Sequence, residues 1–211
     1  SNQIACVRFP RKPIFGTNGP EAHLFGLEPN FGCCTANFNQ GWPKFALSAF
    51  MHSGNKVVNV IPVPSELKTE DKYVKIETDY PFKNSFRYFV EAKSDFELII
   101  RIPSFAKNIA VDGGSVCADE LVFSISAGEK REIVISFDAD IYFEKRPHGL
   151  NTVKCGSLVF SVPVKFEKKM YEYEKDGVER KFPYCDYELL PVSDWNYAYC
   201  AESFEITRNE I

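Results

Sequence analysis

Residues Phe96 to Ile102 read Phe-Glu-Leu-Ile-Ile-Arg-Ile, and this stretch decides the fold class. It is short, apolar and rich in isoleucine, and Ser94-Asp95 and Pro103-Ser104 bound it with turn-forming residues. Short runs of this kind, enriched in β-branched and aromatic residues, are typical of strands that contribute to a core. The stretch is therefore predicted to be the strongest β-strand of the chain.

Outward from this strand, similar short runs recur along most of the sequence. Asp112-Gly113-Gly114 between two of them is a hairpin turn signal. Many short strands separated by turn signals predict an all-β fold, either a β-sandwich or a jelly roll. The further predicted strands are Val57–Val63, Tyr73–Thr78, Ser85–Ala92, Ile109–Val111, Glu120–Ser126, Arg131–Phe137, Ile141–Glu144, Ser157–Phe166 with an interruption at Pro163, and a final strand near Phe204–Thr207.

One helix is predicted before the strands, near residues 34–52. Its apolar residues follow the spacing of an amphipathic helix: Trp42, Phe45, Ala46, Ala49 and Phe50. Gly54 is a suitable helix stop. A short helix is not stable alone, so we expect Trp42 and Phe45 to pack into a core.

The sequence divides into two regions at about Gly54. Residues 1–54 form an irregular arm, punctuated by prolines and glycines, followed by the predicted helix. Residues 55–211 form one or more β-sandwich domains. Within them, residues 167–186 are charged and aromatic and predict a solvated hairpin with Asp176-Gly177 as its turn. Tyr171 and Tyr173 on this hairpin are candidate binding residues.

Composition and charge exclude several classes of partner. The chain has 211 residues and a formal net charge of -4, which favours neither nucleic acid nor an anionic membrane surface. No apolar run approaches the roughly 20 residues of a transmembrane helix, and no basic-then-apolar leader is visible. The seven cysteines are odd in number and irregularly spaced, which indicates a reducing compartment. We therefore expect a cytoplasmic protein.

Two adjacent cysteines, Cys33 and Cys34, form the most concentrated group of reactive side chains in the sequence. A disulfide between neighbours is strained, so vicinal thiols usually stay free or share a metal. Zinc would hold both as thiolates, and a thiolate with a lowered pKa is a ready nucleophile. Zinc needs about four ligands, however, and His23, His52 and His148 are scattered. The alternative is that the cysteines are small buried hydrophobic residues.

The cysteine segment also resembles a known family. Phe31-Gly32-Cys33-Cys34-Thr35-Ala36-Asn37, continuing to Gln40-Gly41-Trp42-Pro43-Lys44-Phe45, is similar to the cysteine-pair segment of glycoside hydrolase family 127, which contains the β-L-arabinofuranosidases. The resemblance runs from about residue 23 to about residue 200. Four later segments resemble the same family in the same order: Thr78-Asp79-Tyr80-Pro81-Phe82, Leu98-Ile99-Ile100-Arg101-Ile102-Pro103-Ser104, Gly156-Ser157-Leu158-Val159-Phe160 and Asp194-Trp195-Asn196-Tyr197.

This resemblance implies an active site that the chain holds only in part. In the family an (α/α)6 barrel carries the active site and β-sandwich domains follow it, so the chain would be the C-terminal part with the last barrel helix. Carried over, Cys33 is the nucleophile and a zinc ligand, and Cys34 is a zinc ligand. The family's other zinc ligands come from a Glu-x-Cys pair, which does not occur in these 211 residues.

Three functional hypotheses follow. The first is a glycoside hydrolase acting on arabinofuranosides or related glycans, with a carbohydrate substrate and with a barrel domain or a second copy of the chain as partner. Glu66, Glu77 and Glu188 are candidate general acids by residue type alone. The second is a non-catalytic accessory or carbohydrate-binding β-sandwich with a relict cysteine pair. The third is a thiol-based metal or redox protein.

Overall fold

A computed structural model describes residues 37–117, 119–175, 177–194, 197–200 and 203–207. They fall into two compact units, which we call the sandwich unit and the hairpin unit. The sandwich unit comprises the described residues of 42–161 and 203–207, and the hairpin unit those of 37–41 and 162–200. No helix in these ranges is both long and apolar enough to cross a membrane.

Two five-stranded sheets build the sandwich unit, which confirms the predicted all-β fold. The first sheet contains, in spatial order, β1 (Phe50–Ser53), β2 (Lys56–Asn59), β6 (Phe96–Arg101), β9 (Glu120–Ile125) and β8 (Ser115–Cys117). The second contains β3 (Ser65–Lys68), β4 (Lys72–Glu77), β5 (Ser85–Ala92), β10 (Lys130–Asp138) and β7 (Lys107–Val111). All pairings are antiparallel except that between β2 and β6.

A single hydrophobic core lies between the two sheets. Alternate residues of β5, β6 and β9 point into it, as the period of two along a strand requires. The strand predicted to be the strongest, β6, is central in its sheet, and its Phe96, Leu98 and Ile100 are buried. From the second sheet, Val74, Phe86 and Ile135 enter the same core. Because the two sheets pack face to face over this shared core, the unit is a β-sandwich.

The helix is shorter than predicted and does not pack as expected. The predicted short helix is present as α1 at Gly41–Leu47, but β1 begins at Phe50, so the helix ends before the predicted residue 52; residues 34–36 lie outside the described ranges. Trp42 is 72% exposed and Phe45 is 40% exposed, so their predicted core packing is also wrong. The chain leaves the helix because the carbonyl of Ala49 accepts the backbone N–H of Val60 at 3.0 Å.

Two glycine turns have roles that differ from the prediction. Gly54, expected to stop the helix, has a φ of 57° in the tight turn between β1 and β2. Asp112-Gly113-Gly114, expected to close a hairpin, instead joins β7 in one sheet to β8 in the other. A turn signal predicts a change of direction, whereas the sheet that receives the next strand depends on long-range pairing.

A smaller sheet follows the sandwich within the same unit. It contains β11 (Ile141–Lys145), β12 (Asn151–Cys155) and β13 (Leu158–Val159), with a 3₁₀ turn at Pro147–Gly149. The predicted strand Ser157–Phe166 is therefore mostly wrong, because only two of its residues belong to β13 and Phe166 begins another strand. The predicted strand Phe204–Thr207 is absent from residues 203–207, although Phe204 packs against Phe143 at a ring distance of 5.4 Å.

The hairpin unit consists of two antiparallel strand pairs. β14 (Phe166–Tyr171) pairs with β17 (Asp186–Pro191), and β15 (Tyr173–Lys175) pairs with β16 (Val178–Arg180). Lys175 pairs with Val178, so the two strands are paired on either side of the predicted turn sequence Asp176-Gly177, of which residue 176 lies outside the described ranges. Every residue of β14 is exposed, which agrees with its charged and aromatic sequence.

Gly114→Ala is expected to destabilise the sandwich unit more than Gly128→Ala. Both glycines have positive φ, 80° and 84°, so both substitutions strain the backbone by about 1 kcal/mol. A Cβ on Gly114 would also lie 2.5 Å from the ring of Phe123, whereas one on Gly128 would meet nothing within 4 Å. Since Phe123 is buried, the clash should cost about a further 1–3 kcal/mol.

Urea unfolding of the two variants measures this difference directly. Gly128→Ala serves as the matched control, because it shares the backbone strain and lacks the clash. Equal losses of unfolding free energy in the two variants would contradict the close approach of Gly114 to Phe123.

Candidate functional site

The predicted catalytic and metal-binding residues, Cys33 and Cys34, lie outside the described residues. Within the described ranges, Cys155, Cys185 and Cys200 are free thiols, and no group of three or more His, Cys, Asp and Glu side chains is placed to hold a metal ion. The described part of the chain therefore contains no alternative to the cysteine pair as a zinc site. Two thiolates suit zinc, and they supply half of a tetrahedral ligand set.

Glu66, the first candidate acid, lies on the exposed edge strand β3. Its Oε2 accepts a hydrogen bond of 3.0 Å from the hydroxyl of Tyr73 on β4. This bond raises the pKa of the Tyr73 hydroxyl, because loss of the proton would place two negative charges together. Glu66 thus acts in the structure as a hydrogen-bond acceptor beside an aromatic ring.

The other two candidate acids are engaged in surface interactions. Glu77 forms an ion pair with Lys75 at 2.6 Å, and this contact raises the pKa of the Lys75 ammonium group. Glu188, in the hairpin unit, accepts a hydrogen bond of 2.7 Å from the hydroxyl of Tyr171 and raises the pKa of that hydroxyl. Neither carboxyl group lies in the apolar, water-excluded setting in which carboxyl groups serve as general acids.

A polar cleft with a volume of about 630 Å³ lies on the outer face of the second sheet, around Glu66 and Tyr73. One row of it crosses four strands, since Lys68 faces Tyr73, Tyr73 faces Glu91, and Glu91 faces Lys130 in the strand register. The remaining lining residues are Thr69, Glu70, Asp71, Lys72, Ala92, Lys93 and Gly128. Sequence analysis missed this cleft, because its residues are brought together only by strand pairing.

The turn between β3 and β4 supports one wall of this cleft. The carboxylate of Asp71 accepts hydrogen bonds from the Lys72 ammonium at 2.6 Å, the Ser94 hydroxyl at 2.5 Å and the Thr69 hydroxyl at 2.8 Å. These bonds hold the pKa of Asp71 well below its usual range. The backbone N–H of Lys93 also donates to the carbonyl of Asp71 at 2.8 Å, so two loops are joined.

Three of the segments that resemble the hydrolase family meet at a second, smaller cleft of about 270 Å³. Tyr80, the stretch Arg101–Ser104 and Ser157 line it, and the Tyr80 and Ser157 hydroxyls hydrogen-bond to each other. The ring of Tyr80 packs against Phe86 at 5.6 Å. These segments are far apart in the sequence but meet in space. The hydrogen bond between Tyr80 and Ser157 joins the smaller sheet to the sandwich.

The last of the resembling segments is only partly described, because residues 195 and 196 lie outside the described ranges. Tyr197 is exposed. The binding role predicted for Tyr171 and Tyr173 stays a prediction: Tyr171 is exposed and bonded to Glu188, and Tyr173 is half-buried on β15.

The fold defines a protein of the β-sandwich class. No protein-family profile matches the sequence, and no curated protein matches it. Among solved structures, the chain is similar to a family 127 β-L-arabinofuranosidase from Geobacillus stearothermophilus T6, at 17% identity and a TM-score of 0.48, over 68% of this chain and 28% of that one.

Two further solved structures are similar to the chain. One is a second family 127 β-arabinofuranosidase, at 19% identity and a TM-score of 0.49, over 76% of this chain and 36% of that one. The other is described as a glycoside hydrolase, at 15% identity and a TM-score of 0.48, over 76% of this chain and 37% of that one. The chain spans 28–37% of the length of the three structures, and similarity at these levels assigns no activity.

Proposed function

We propose that this chain is part of a glycoside hydrolase similar to family 127, and that it supplies the cysteine nucleophile. The observation that carries the proposal is the segment Phe31–Asn37 with its two adjacent cysteines, followed by four further family-like segments in the family's order. Each later segment is short, and the order of all five supports the proposal more than any one alone. The proposed substrates are arabinofuranosides or related glycans.

Cys33 performs the covalent step in this proposal. Its thiolate attacks the anomeric carbon, so that a carbon–sulfur bond forms while the glycosidic carbon–oxygen bond breaks. A carboxylic acid on the opposite side of the sugar gives the leaving oxygen its proton. Water then attacks the same carbon, its proton returns to that carboxylate, and the Cys33 sulfur leaves as thiolate. Two displacements at one carbon retain its configuration.

Cys34 and Cys33 together are the zinc ligands that this chain offers. Zinc, when bound, keeps a thiol deprotonated at neutral pH and so supplies the lowered pKa that a cysteine nucleophile needs. Two further ligands complete the zinc site in this proposal, and the described residues outside the cysteine pair offer no group of three or more side chains placed to hold a metal ion.

Zinc content tests the proposal. Elemental mass spectrometry of the 211-residue chain is expected to give about one zinc per chain or per pair of chains, lost in Cys33→Ser and in Cys34→Ser. Cys200→Ser is the matched control, since Cys200 is an exposed free thiol, and it should keep the zinc. Alkylation should label Cys33 and Cys34 only after chelation.

Hydrolysis of a chromogenic arabinofuranoside completes the test. Activity should fall to background in Cys33→Ser and remain in Cys200→Ser. A chain without zinc whose Cys33 and Cys34 are freely alkylated would contradict the metal site. A Cys33→Ser variant that still hydrolyses the substrate would contradict the role of Cys33.

A further inference from the structure

We propose that the 630 Å³ cleft on the outer face of the second sheet is a non-catalytic binding site for a neutral oligosaccharide. All of its lining residues lie between Glu66 and Lys130. Cys33 is not among them, so this proposal stands independently of the hydrolase mechanism. Its volume falls within the range of small-molecule sites, roughly 300–1,000 Å³.

The charges of the cleft favour a neutral ligand over an ionic one. Its lining contains equal numbers of ammonium and carboxylate groups, so an anion or a cation would each meet four groups of its own sign. A polyol avoids this repulsion, because each hydroxyl both donates to a carboxylate and accepts from an ammonium group. The groups are Lys68, Lys72, Lys93 and Lys130 on one side and Glu66, Glu70, Asp71 and Glu91 on the other.

Several of these groups are available to a ligand. Within the described ranges, the structure gives no side-chain hydrogen bond or ion pair to Lys68, Glu70 or Lys93, and all three are exposed. Glu91 forms a surface ion pair with Lys130 at 3.0 Å. Water or a ligand hydroxyl can replace such an exposed ion pair at little cost in free energy. Sugar hydroxyls would therefore find both ammonium and carboxylate partners among the lining residues.

Tyr73 supplies the apolar surface that a sugar ring needs. It is half-buried between Lys68 and Glu91 in the cross-strand row, and its hydroxyl is held by Glu66 at 3.0 Å. A fixed aromatic ring offers contact area with little loss of conformational entropy on binding. Its raised pKa keeps the hydroxyl protonated, so it continues to donate to Glu66 and leaves that carboxylate oriented.

The cleft is also preorganised. The Asp71 carboxylate accepts hydrogen bonds from Thr69 and Lys72 within the β3–β4 turn and one from the Ser94 hydroxyl after β5. The backbone N–H of Lys93 also donates to the backbone carbonyl of Asp71, so two hydrogen bonds join the two loops. Lys72 and Asp71 form an ion pair with each other in this arrangement, at 2.6 Å. The loops that carry Glu70 and Lys93 are thus fixed before a ligand arrives, which lowers the entropy lost on binding.

Binding of neutral trisaccharides to the full chain tests this proposal. We would titrate arabinotriose, xylotriose and cellotriose by isothermal calorimetry and by NMR, and expect at least one to bind with a Kd of about 1 mM or tighter. Tyr73→Ala should weaken it by about tenfold or more, and Glu91→Gln by several-fold. Glu77→Gln is the matched control, since Glu77 lies on the same strand outside the cleft.

A second pair of variants guards against misfolding. If Tyr73→Ala lacks a cooperative unfolding transition, Glu70→Ala and Lys93→Ala replace it, because neither exposed side chain supports the fold. Cys33→Ser should bind the same trisaccharide with unchanged affinity, which separates this site from the hydrolase. Absence of binding by all three sugars, or equal binding by the cleft variants and Glu77→Gln, would overturn the proposal.

Discussion

Phe86→Ala is expected to lower the free energy of unfolding of the sandwich unit by about 3–5 kcal/mol. Phe86 is 1% exposed, and its ring packs against Tyr80 at 5.6 Å and Phe137 at 5.4 Å. Removing the ring takes away its burial and leaves a cavity that surrounding strands can fill only in part. Urea unfolding monitored by far-UV circular dichroism measures the loss of unfolding free energy.

Trp42→Ala is the control for this substitution. It also removes a large aromatic ring, but Trp42 is 72% exposed on α1 and contacts Phe45 at a ring distance of 6.1 Å. Its loss should change the unfolding free energy by no more than about 0.5 kcal/mol. A loss as large as that of Phe86→Ala would show that the helix packs into a core, as the sequence pattern had predicted.

Alkaline pH is expected to destabilise the sandwich unit through Tyr88. Tyr88 is fully buried, and its hydroxyl donates to Oδ1 of Asn59 on the opposite sheet at 2.7 Å. Burial raises the pKa of Tyr88 far above its usual value of about 10. The unfolded chain releases this proton above about pH 10 and the folded chain does not, so stability falls as pH rises, by about 1.4 kcal/mol per pH unit.

Tyr88→Phe isolates this contribution. The variant should lose about 1–3 kcal/mol at neutral pH, because Oδ1 of Asn59 is left buried without its donor, and its stability should fall less steeply above pH 10. A second tyrosine also has a raised pKa. A hydrogen bond with Cys185 and, to a smaller extent, burial raise the pKa of Tyr187 to about 12. The difference between the two curves therefore reports Tyr88, and parallel curves would contradict its burial as a neutral phenol.

Most strands were predictable because local patterns decide them. β5 matches its predicted bounds, β6 and β9 end one residue earlier than predicted, and β4 is shifted by one residue at both ends. In each, a buried face alternates with a solvated one, and that alternation is visible in the residues themselves. The pairing of β15 with β16 was also predictable from local sequence, since the turn-forming residues Asp176-Gly177 separate two short charged stretches.

The helix shows where local pattern misleads. Ala49 and Phe50 fit the helical spacing with Trp42 and Phe45, yet they are buried in the sandwich while the two aromatic residues are exposed. Asn59 decides this difference, because its side-chain amide donates to the carbonyl of Ala49 at 3.0 Å and its Oδ1 accepts from Tyr88. A partner ten residues away along the chain cannot be read from helical periodicity.

The candidate sites divide in the same way. Cys33 and Cys34 were singled out because adjacent thiols have few chemical roles, and the family resemblance implied the roles of nucleophile and zinc ligand, which stay predictions. The 630 Å³ cleft could not be identified from neighbouring residues in the sequence. Four different strands contribute its central row, which consists of Lys68, Tyr73, Glu91 and Lys130, and each of these looks like an ordinary surface residue.

The sequence by itself determined that this protein is built from strands and where most of them lie. Those properties depend on neighbouring residues and on the period of two along a strand. Only the tertiary structure decided the order of strands in the two sheets, the short helix with its exposed Trp42, and the polar cleft around Tyr73. Each of these depends on hydrogen bonds and packing between segments far apart in the chain, which compete with local preference and prevail over it.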